Sequence, residues 1–288
     1  MPSPLLAVDA PSVLFRAFYA LPDSIKGVDG RPVNALLGAA NLILREVAEH
    51  DPRAVVLCFG PDAADYRVEL FDGYHADRPE VPEALAPQFA ASDAFFTAFD
   101  GEVASHDSLE ADDLLGSYAR IESEAGGRAL LLTGDRDMFQ CASERVTVLY
   151  VSTGKGAQAI GPEEVRARYG IGPELVPDFI ALRGDPSDGI PGARGVGEKT
   201  AAELLRRHGS LESVLENAVA EHRPALRGAL LEAREQLIAF KDIATLRDAG
   251  VPRPPDRPTN WAAAAESARE RGMGRLSERL LASAPKAA

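Results

Sequence analysis

Cysteine is almost absent: Cys58 and Cys141 are the only two among 288 residues. Two thiols build neither a disulfide framework nor a cysteine-rich zinc site, and they suit a reducing cytosol. No stretch of about 18 consecutive apolar residues occurs, so no membrane-spanning helix is expected. The opening MPSPLLAVDA has neither a basic flank nor a long apolar stretch, and no signal peptide is expected. Positive charge is also in deficit, with 31 Lys+Arg against 44 Asp+Glu and a net charge of −13. Such a chain should not adhere to nucleic acid through general positive charge. Acidity can be local, however, where carboxylates converge on a cation. The hydrophobic fraction of 45% supports a real core and excludes wholesale disorder. The length allows one large domain or two of ordinary size.

Short apolar runs without strict alternation fall at residues 5–8, 54–59, 129–133 and 146–151, bounded by Gly, Pro or Asp. Strands buried on both faces read this way. Helical patterns lie between them. Residues 34–49 place Leu36, Leu37, Ala40, Ile43, Leu44 and Val47 on one side, with Asn34 as N-cap. Residues 109–124 carry Leu114, Leu115, Tyr118 and Ile121, residues 82–99 form a further helix, and 101–106 form a short strand. The alternation predicts an α/β fold, a mostly parallel sheet flanked by helices. From about Pro162 no strand is expected; helices fall at 163–169, 175–182, 198–208, 211–218 and 224–246. A Pro-rich connector starts at Pro252, and 261–281 read as a weak helix. The expected units are 1–161, 162–251 and 252–288. No internal repeat is found.

Ligands of parallel α/β sheets bind outside the carboxyl ends of the strands, and here that rim is acidic. Asp9 closes the first strand, Asp135 and Asp137 follow the third in TGDRD, and Glu110, Asp112 and Asp113 open a helix. Asp185 and Asp188 arrive from the helical part in RGDPSDG. Removing these eight from the count leaves −5, so much of the acidity belongs to one place. Taken singly, each cluster has a plain reading: helix-dipole compensation, a cap, a turn. Taken together they point to shared metal binding, because carboxylates in one cleft repel unless cations neutralise them. An oxygen-only set favours Mg2+ or Mn2+, with some acids acting through water. Two such ions can activate water and stabilise a leaving oxygen in phosphodiester hydrolysis.

The stretch Gly192-Ala-Arg-Gly195-Val-Gly197-Glu-Lys199-Thr200 fails as a Walker A loop, because Glu198 separates Gly197 from Lys199 and no strand precedes it. It reads as a tight hairpin between helices, feeding a helix at Glu198. Gly195 and Gly197 let backbone N–H groups approach a phosphate, with the helix N-terminus and Lys199 adding charge. Such a hairpin holds a nucleic-acid backbone without reading its sequence. From Arg194 to Lys241 there are eight Lys+Arg and seven Glu, so any grip is local.

The ordered segments DAPSVLFRAFYA, YRVELFDGYHADRPEVP, LEADDLLG, LLTGDRDMFQ and LRGDPSDGIPGARGVGEKTAAELL resemble the bacterial 5'-3' exonuclease/flap endonuclease family over about residues 4–250. The resemblance implies a PIN-like nuclease domain followed by a helix–three-turn–helix region. It implies two divalent ions cutting near the 5' end of DNA flaps, nicks or RNA primers in replication and repair. Asp9, Glu110, Asp112 and Asp113 match the acids around one ion. Asp135, Asp137, Asp185 and Asp188 match those around the other. Gly195, Gly197, Lys199 and Thr200 match the DNA-gripping hairpin, where a monovalent cation such as K+ also sits. Arg16 and Arg67 match positions near the reacting strand, and under this reading Arg78, with His75 when protonated, would steady the scissile phosphate.

Two departures stand out. Gly60 stands where the family places an acid, with Asp62 two residues on as a substitute ligand. His75 stands in place of a lysine that orients the phosphate. They open a second reading, a weakened nuclease that binds flaps or nicks. A third, a small-molecule phosphatase using a strand-end Asp, leaves DPSDGIPG and the hairpin without a role.

Overall fold

The computed structural model describes residues 3–152 and 156–284. Six strands form one sheet: β1 (Leu5–Asp9), β2 (Ala54–Phe59), β3 (Glu102–Ser105), β4 (Ala129–Thr133), β5 (Val146–Val151) and β6 (Ala157–Ile160). The spatial order is β3-β2-β1-β4-β5-β6. β1 pairs in parallel with β2 and β4, β2 with β3, and β4 with β5, whereas β6 runs antiparallel to β5. Every residue of β1 and β4 is buried, as their unbroken apolar runs require. β6 was not expected. Ala157-Gln-Ala-Ile has too little apolar pattern, and only its pairing with β5 defines it.

The helices are α1 (Ala10–Ala20), α2 (Asn34–His50), α3 (Asp65–Leu70), α4 (Ala86–Thr97), α5 (Ala111–Glu124), α6 (Pro162–Tyr169), α7 (Val176–Arg183), α8 (Glu198–His208), α9 (Leu211–Glu216), α10 (Pro224–Glu232), α11 (Arg234–Ala244), α12 (Trp261–Glu270) and α13 (Gly274–Ser283). Alternate strand residues face opposite sides of a sheet. Leu5, Ala7, Val56, Leu131 and Val148 share one apolar cluster with α5, α7, α8, α9 and α11. Leu6, Val8, Leu57, Leu132 and Leu149 share the other with α1, α2, α4, α12 and α13. Composition therefore changes near 162 without a break in packing.

Several local expectations needed tertiary correction. α1 follows β1 directly, because Asp9 both ends the strand and caps the helix, Oδ1 accepting from Ser12 N at 3.0 Å. Asn34 is not the cap of α2 but its first residue. Its Nδ2 donates to the carbonyls of Phe18 and Leu21 at 2.9 and 3.0 Å. Gln88 supplies the missing cap instead, its Oε1 accepting from Ala35 N at 2.8 Å. The single helix expected over 224–246 breaks at Ala233, between α10 and α11. The one over 261–281 breaks at Gly272, whose φ of +82° places its α-carbon against the backbone of Gly27 and Val28, where a Cβ would lie 2.8 Å from Val28 N. The Pro-rich connector leads back to the sheet: Arg253 pairs with buried Glu122, and Arg257 N donates to Arg53 O at 2.7 Å.

Candidate functional site

The carboxyl ends of β1, β2 and β4 open into a cleft of about 780 Å³. Asp9, Asp112, Asp135, Asp137, Asp185 and Asp188 all line it, brought from two strand ends, the first turn of α5 and the loop after α7. Asp9 Oδ2 accepts from Thr133 Oγ1 at 2.7 Å, which ties β1 to β4 at the rim. Thr133 Oγ1 also accepts from Asp135 N at 2.9 Å, and Asp135 Oδ1 accepts from Asp137 N at 2.8 Å. TGDRD is thus a turn held by its own side chains. Asp185 and Ile190 exchange two backbone hydrogen bonds of 2.8 Å, closing the loop that presents Asp188.

Asp9, Asp112, Asp135 and Asp137 resist ionising together. Burial, then Asp9, Asp135 and Glu110, hold Asp112 well above the usual carboxylate range. Burial, then Asp135, Asp188 and Asp185, do the same to Asp137. Burial also raises Asp9 against its hydrogen bonds from Thr133 and Ser12. Asp135 is pushed up to about 7 by burial and Asp188. This donor set is all carboxylate oxygen, which suits a hard divalent cation. Among the described residues, only Glu46, Glu49 and His50 on α2 bring three ligand atoms within 4.8 Å of one another, and Arg45 already pairs with Glu46. The cleft acids stand farther apart, a spacing that fits ions held partly through water.

A pH dependence follows for metal-free protein. Raised folded-state pKa values mean that the folded chain binds more protons than the unfolded one between about pH 4 and 7, so stability falls as pH rises through that window. Urea unfolding in a chelator should give a lower stability at pH 7.5 than at pH 5, by about 2 kcal/mol. Millimolar divalent metal should remove that loss. A flat profile in chelator would contradict the shared cleft.

Two expected cleft acids are spent elsewhere. Asp113 is fully buried and does not line the cleft. Its Oδ1 accepts from Arg67 Nη2 at 2.9 Å and Arg247 N at 2.8 Å, and its Oδ2 from Glu110 N at 3.1 Å. Glu110 reaches the cleft wall, but Oε1 accepts from Ala64 N at 2.7 Å and Oε2 from Tyr74 Oη at 3.0 Å, with Arg67 Nη1 2.9 Å away. Arg67, expected beside the reacting strand, is 3% exposed and donates Nε to the Ile243 carbonyl. It braces α3, α5 and α11, with little of its surface left at the cleft wall that it lines. Asp62, expected as a substitute ligand, is exposed at the rim with its carboxylate 3.0 Å from Arg78 Nη1. Arg78 Nη2 and His75 Nε2 both lie 3.2 Å from Asp188 Oδ1, and His75 Nδ1 lies 2.5 Å from the Asp62 carbonyl. His75 is therefore a buried bridge between the rim and Asp188, stacked on Tyr74. Gly60 sits with its missing Cβ 2.4 Å from the Leu109 carbonyl, so an acid there requires that backbone to move. Arg16 Nη2 donates to Gly134 O at 2.6 Å, lying where a side chain at 134 would stand. Thr133, Tyr74 and Arg183 escaped the sequence reading. Thr133 ends an apolar run and Tyr74 lies inside a quoted motif, but neither position says which carboxylate it meets.

Between α7 and α8 the chain makes the expected hairpin. Gly184 and Gly192 pack backbone on backbone, a Cβ at 192 falling 2.3 Å from Gly184 N. Gly195 has φ +75°, and both it and Gly197, the extended cap of α8, have open space around them. Arg194 and Lys199 are exposed and Thr200 is half-buried, so the amides of the α8 N-terminus face solvent with cations beside them.

Fold and site together define a resolvase-like α/β domain joined to a SAM-like helical region. The model of the 5'-3' exonuclease N-terminal resolvase-like domain matches residues 4–170, and that of the 5'-3' exonuclease C-terminal SAM fold matches 171–258. The chain belongs to the 5'-3' exonuclease family. A 5'-3' exonuclease of Streptomyces coelicolor is 36% identical over 96% of this chain and 98% of its own length. DNA polymerase I of Mycobacterium bovis is 36% identical over 88% of this chain, which spans 28% of that polymerase. The fold is also that of the bacteriophage T5 D15 flap endonuclease in a complex with DNA and metal ions, with TM-score 0.69, 16% identity and coverage of 96% of this chain and 98% of that one.

Proposed function

We propose that the protein is a divalent-metal-dependent 5'-3' exonuclease and flap endonuclease that hydrolyses DNA phosphodiester bonds. The observation that carries this is the convergence of six carboxylates on one cleft, beside a glycine hairpin that presents free amides. When bound, two Mg2+ or Mn2+ ions would generate hydroxide from water near neutral pH and stabilise the leaving 3' oxygen. We assign Asp9 and Asp112, with Glu110 through water, to one ion, and Asp135, Asp137, Asp185 and Asp188 to the other. Asp113 and Arg67 position Glu110 and the first turn of α5. Arg78 and His75 hold Asp188 at the rim, where an entering phosphate meets the remaining N–H groups of Arg78. Arg16, fixed on Gly134, faces the same strand. The hairpin amides with Lys199 and Thr200 hold duplex phosphate at a set distance from the cut, and a monovalent cation such as K+ at the hairpin belongs to the same proposal.

The substrates proposed are DNA with 5' flaps, nicks or ends, including RNA primers, in replication and repair. No helix among the described residues is long and apolar enough to cross a membrane, and we place the protein in the cytoplasm. The units proposed are the nuclease domain (1–161), the DNA-gripping helices (162–251) and the connector with its closing helices (252–288). The relatives' names and the metal-bound DNA complex of the T5 enzyme support this reading.

A second reading, a slow nuclease that chiefly binds flaps, is favoured by Gly60 and His75: no acid fits at 60, and both His75 nitrogens are engaged. One experiment separates the two. Cleavage of a 5'-flap DNA in Mg2+ or Mn2+ is expected, abolished by chelator. Folded protein that binds the flap without cutting it at high enzyme would leave only the second reading.

A further inference from the structure

We infer that Arg136 and Arg168, spread over the ring of Tyr150, form a phosphate track that carries the backbone of the bound DNA from the cleft wall along the β5–β6 edge. This deepens the nuclease reading and rests on it. Arg136 and Tyr150 line the cleft themselves, next to Asp135 and Asp137. The Arg136 guanidinium carbon lies 5.8 Å from the Tyr150 ring centre, and Nε donates to Tyr150 Oη at 3.2 Å. The Arg168 guanidinium carbon lies 5.7 Å from that ring and 5.3 Å from Phe139. Arg168 Nη2 donates to Gln158 Oε1 on β6 at 3.3 Å. Both arginines are exposed, and among the described residues neither has a carboxylate within 4.0 Å.

That freedom is the telling feature. Three other arginines of the cleft are committed to carboxylates, Arg67 to Glu110 and Asp113, Arg78 to Asp62 and Asp188, and Arg183 to Asp185 and Glu198, while Arg16 is held by the Gly134 carbonyl. In a chain of net charge −13, a polyanion must be drawn in by local cations. Arginines resting against aromatic rings keep their outward N–H groups ready for phosphate while losing little side-chain freedom. A backbone entering the cleft and gripped at the hairpin passes this point. No base edge is read there, so the partner is a phosphodiester backbone of any sequence.

The test is equilibrium binding of a nicked 5'-flap duplex in Ca2+ at several salt concentrations, with cleavage in Mg2+ measured alongside. Arg136→Gln and Arg168→Gln should each weaken binding and lower the slope of log Kd against log salt by about one, and the double change by about two. Arg136→Lys should restore most of the slope. Arg166→Gln, on the same helix but paired with Glu163, should change nothing. If wild-type protein binds and cuts the flap while the folded Arg168→Gln and double variants keep its slope, the track is wrong. A loss of affinity at unchanged slope would also overturn it, since that marks a structural role. Wild-type protein that neither binds nor cuts the flap would instead defeat the nuclease reading.

Discussion

Asp112→Asn is expected to lower flap cleavage by about 1,000-fold or more, because under the proposed function it removes a charge that would hold a catalytic cation, a contribution of several kcal/mol. Folding should survive the change. Asp112 opens α5 with its side chain toward the cleft, and burial together with Asp9, Asp135 and Glu110 disfavours its charge. Replacing it relieves repulsion, so in chelator at pH 7.5 the variant should melt about 2–4 °C above the natural protein, as about 1 kcal/mol gives for a domain of this size. The two readouts must move in opposite directions. A variant that loses both activity and stability would place Asp112 in the fold and not in the site.

Arg67→Ala should have the largest effect on stability, about 3–5 kcal/mol in urea unfolding. The guanidinium is buried between Glu110 and Asp113 and also holds the Ile243 carbonyl of α11. Its loss strands two carboxylates without a counter-charge and cuts the tie between α3, α5 and the helical region. Activity should fall with it, since Glu110 loses the partner that orients it. A variant with natural stability would refute the brace.

The strands β1, β2, β4 and β5 were legible because a strand buried on both faces must be apolar throughout, and four such runs stand out in this sequence. α8 was legible to the residue, with its glycine before Glu198 and another after His208. β6 was not, because four residues of edge strand carry almost no pattern and exist through their partner. Nor were the breaks at Ala233 and Gly272, where each helical pattern continues across the join and only packing forces the turn. The capping of α2 misled for a related reason. Asn34 is a good cap in isolation, but the carbonyls of Phe18 and Leu21 compete for its amide, and Gln88 arrives from α4 to replace it.

The candidate site divides in the same way. Ordered motifs and a surplus of acids at strand ends, read from the sequence, pointed to the chemistry proposed above: oxygen ligands, a divalent cation and a phosphodiester substrate. Tertiary structure decided which acids are free to serve. Glu110 and Asp113 look like Asp112 in a sequence, yet backbone amides, Tyr74 and Arg67 from distant segments consume them, while Asp112 is left facing Asp9 and Asp135. Residue type fixes what a carboxylate can bind. Which hydrogen-bond donors stand around it in the folded chain fixes whether it is still available to do so.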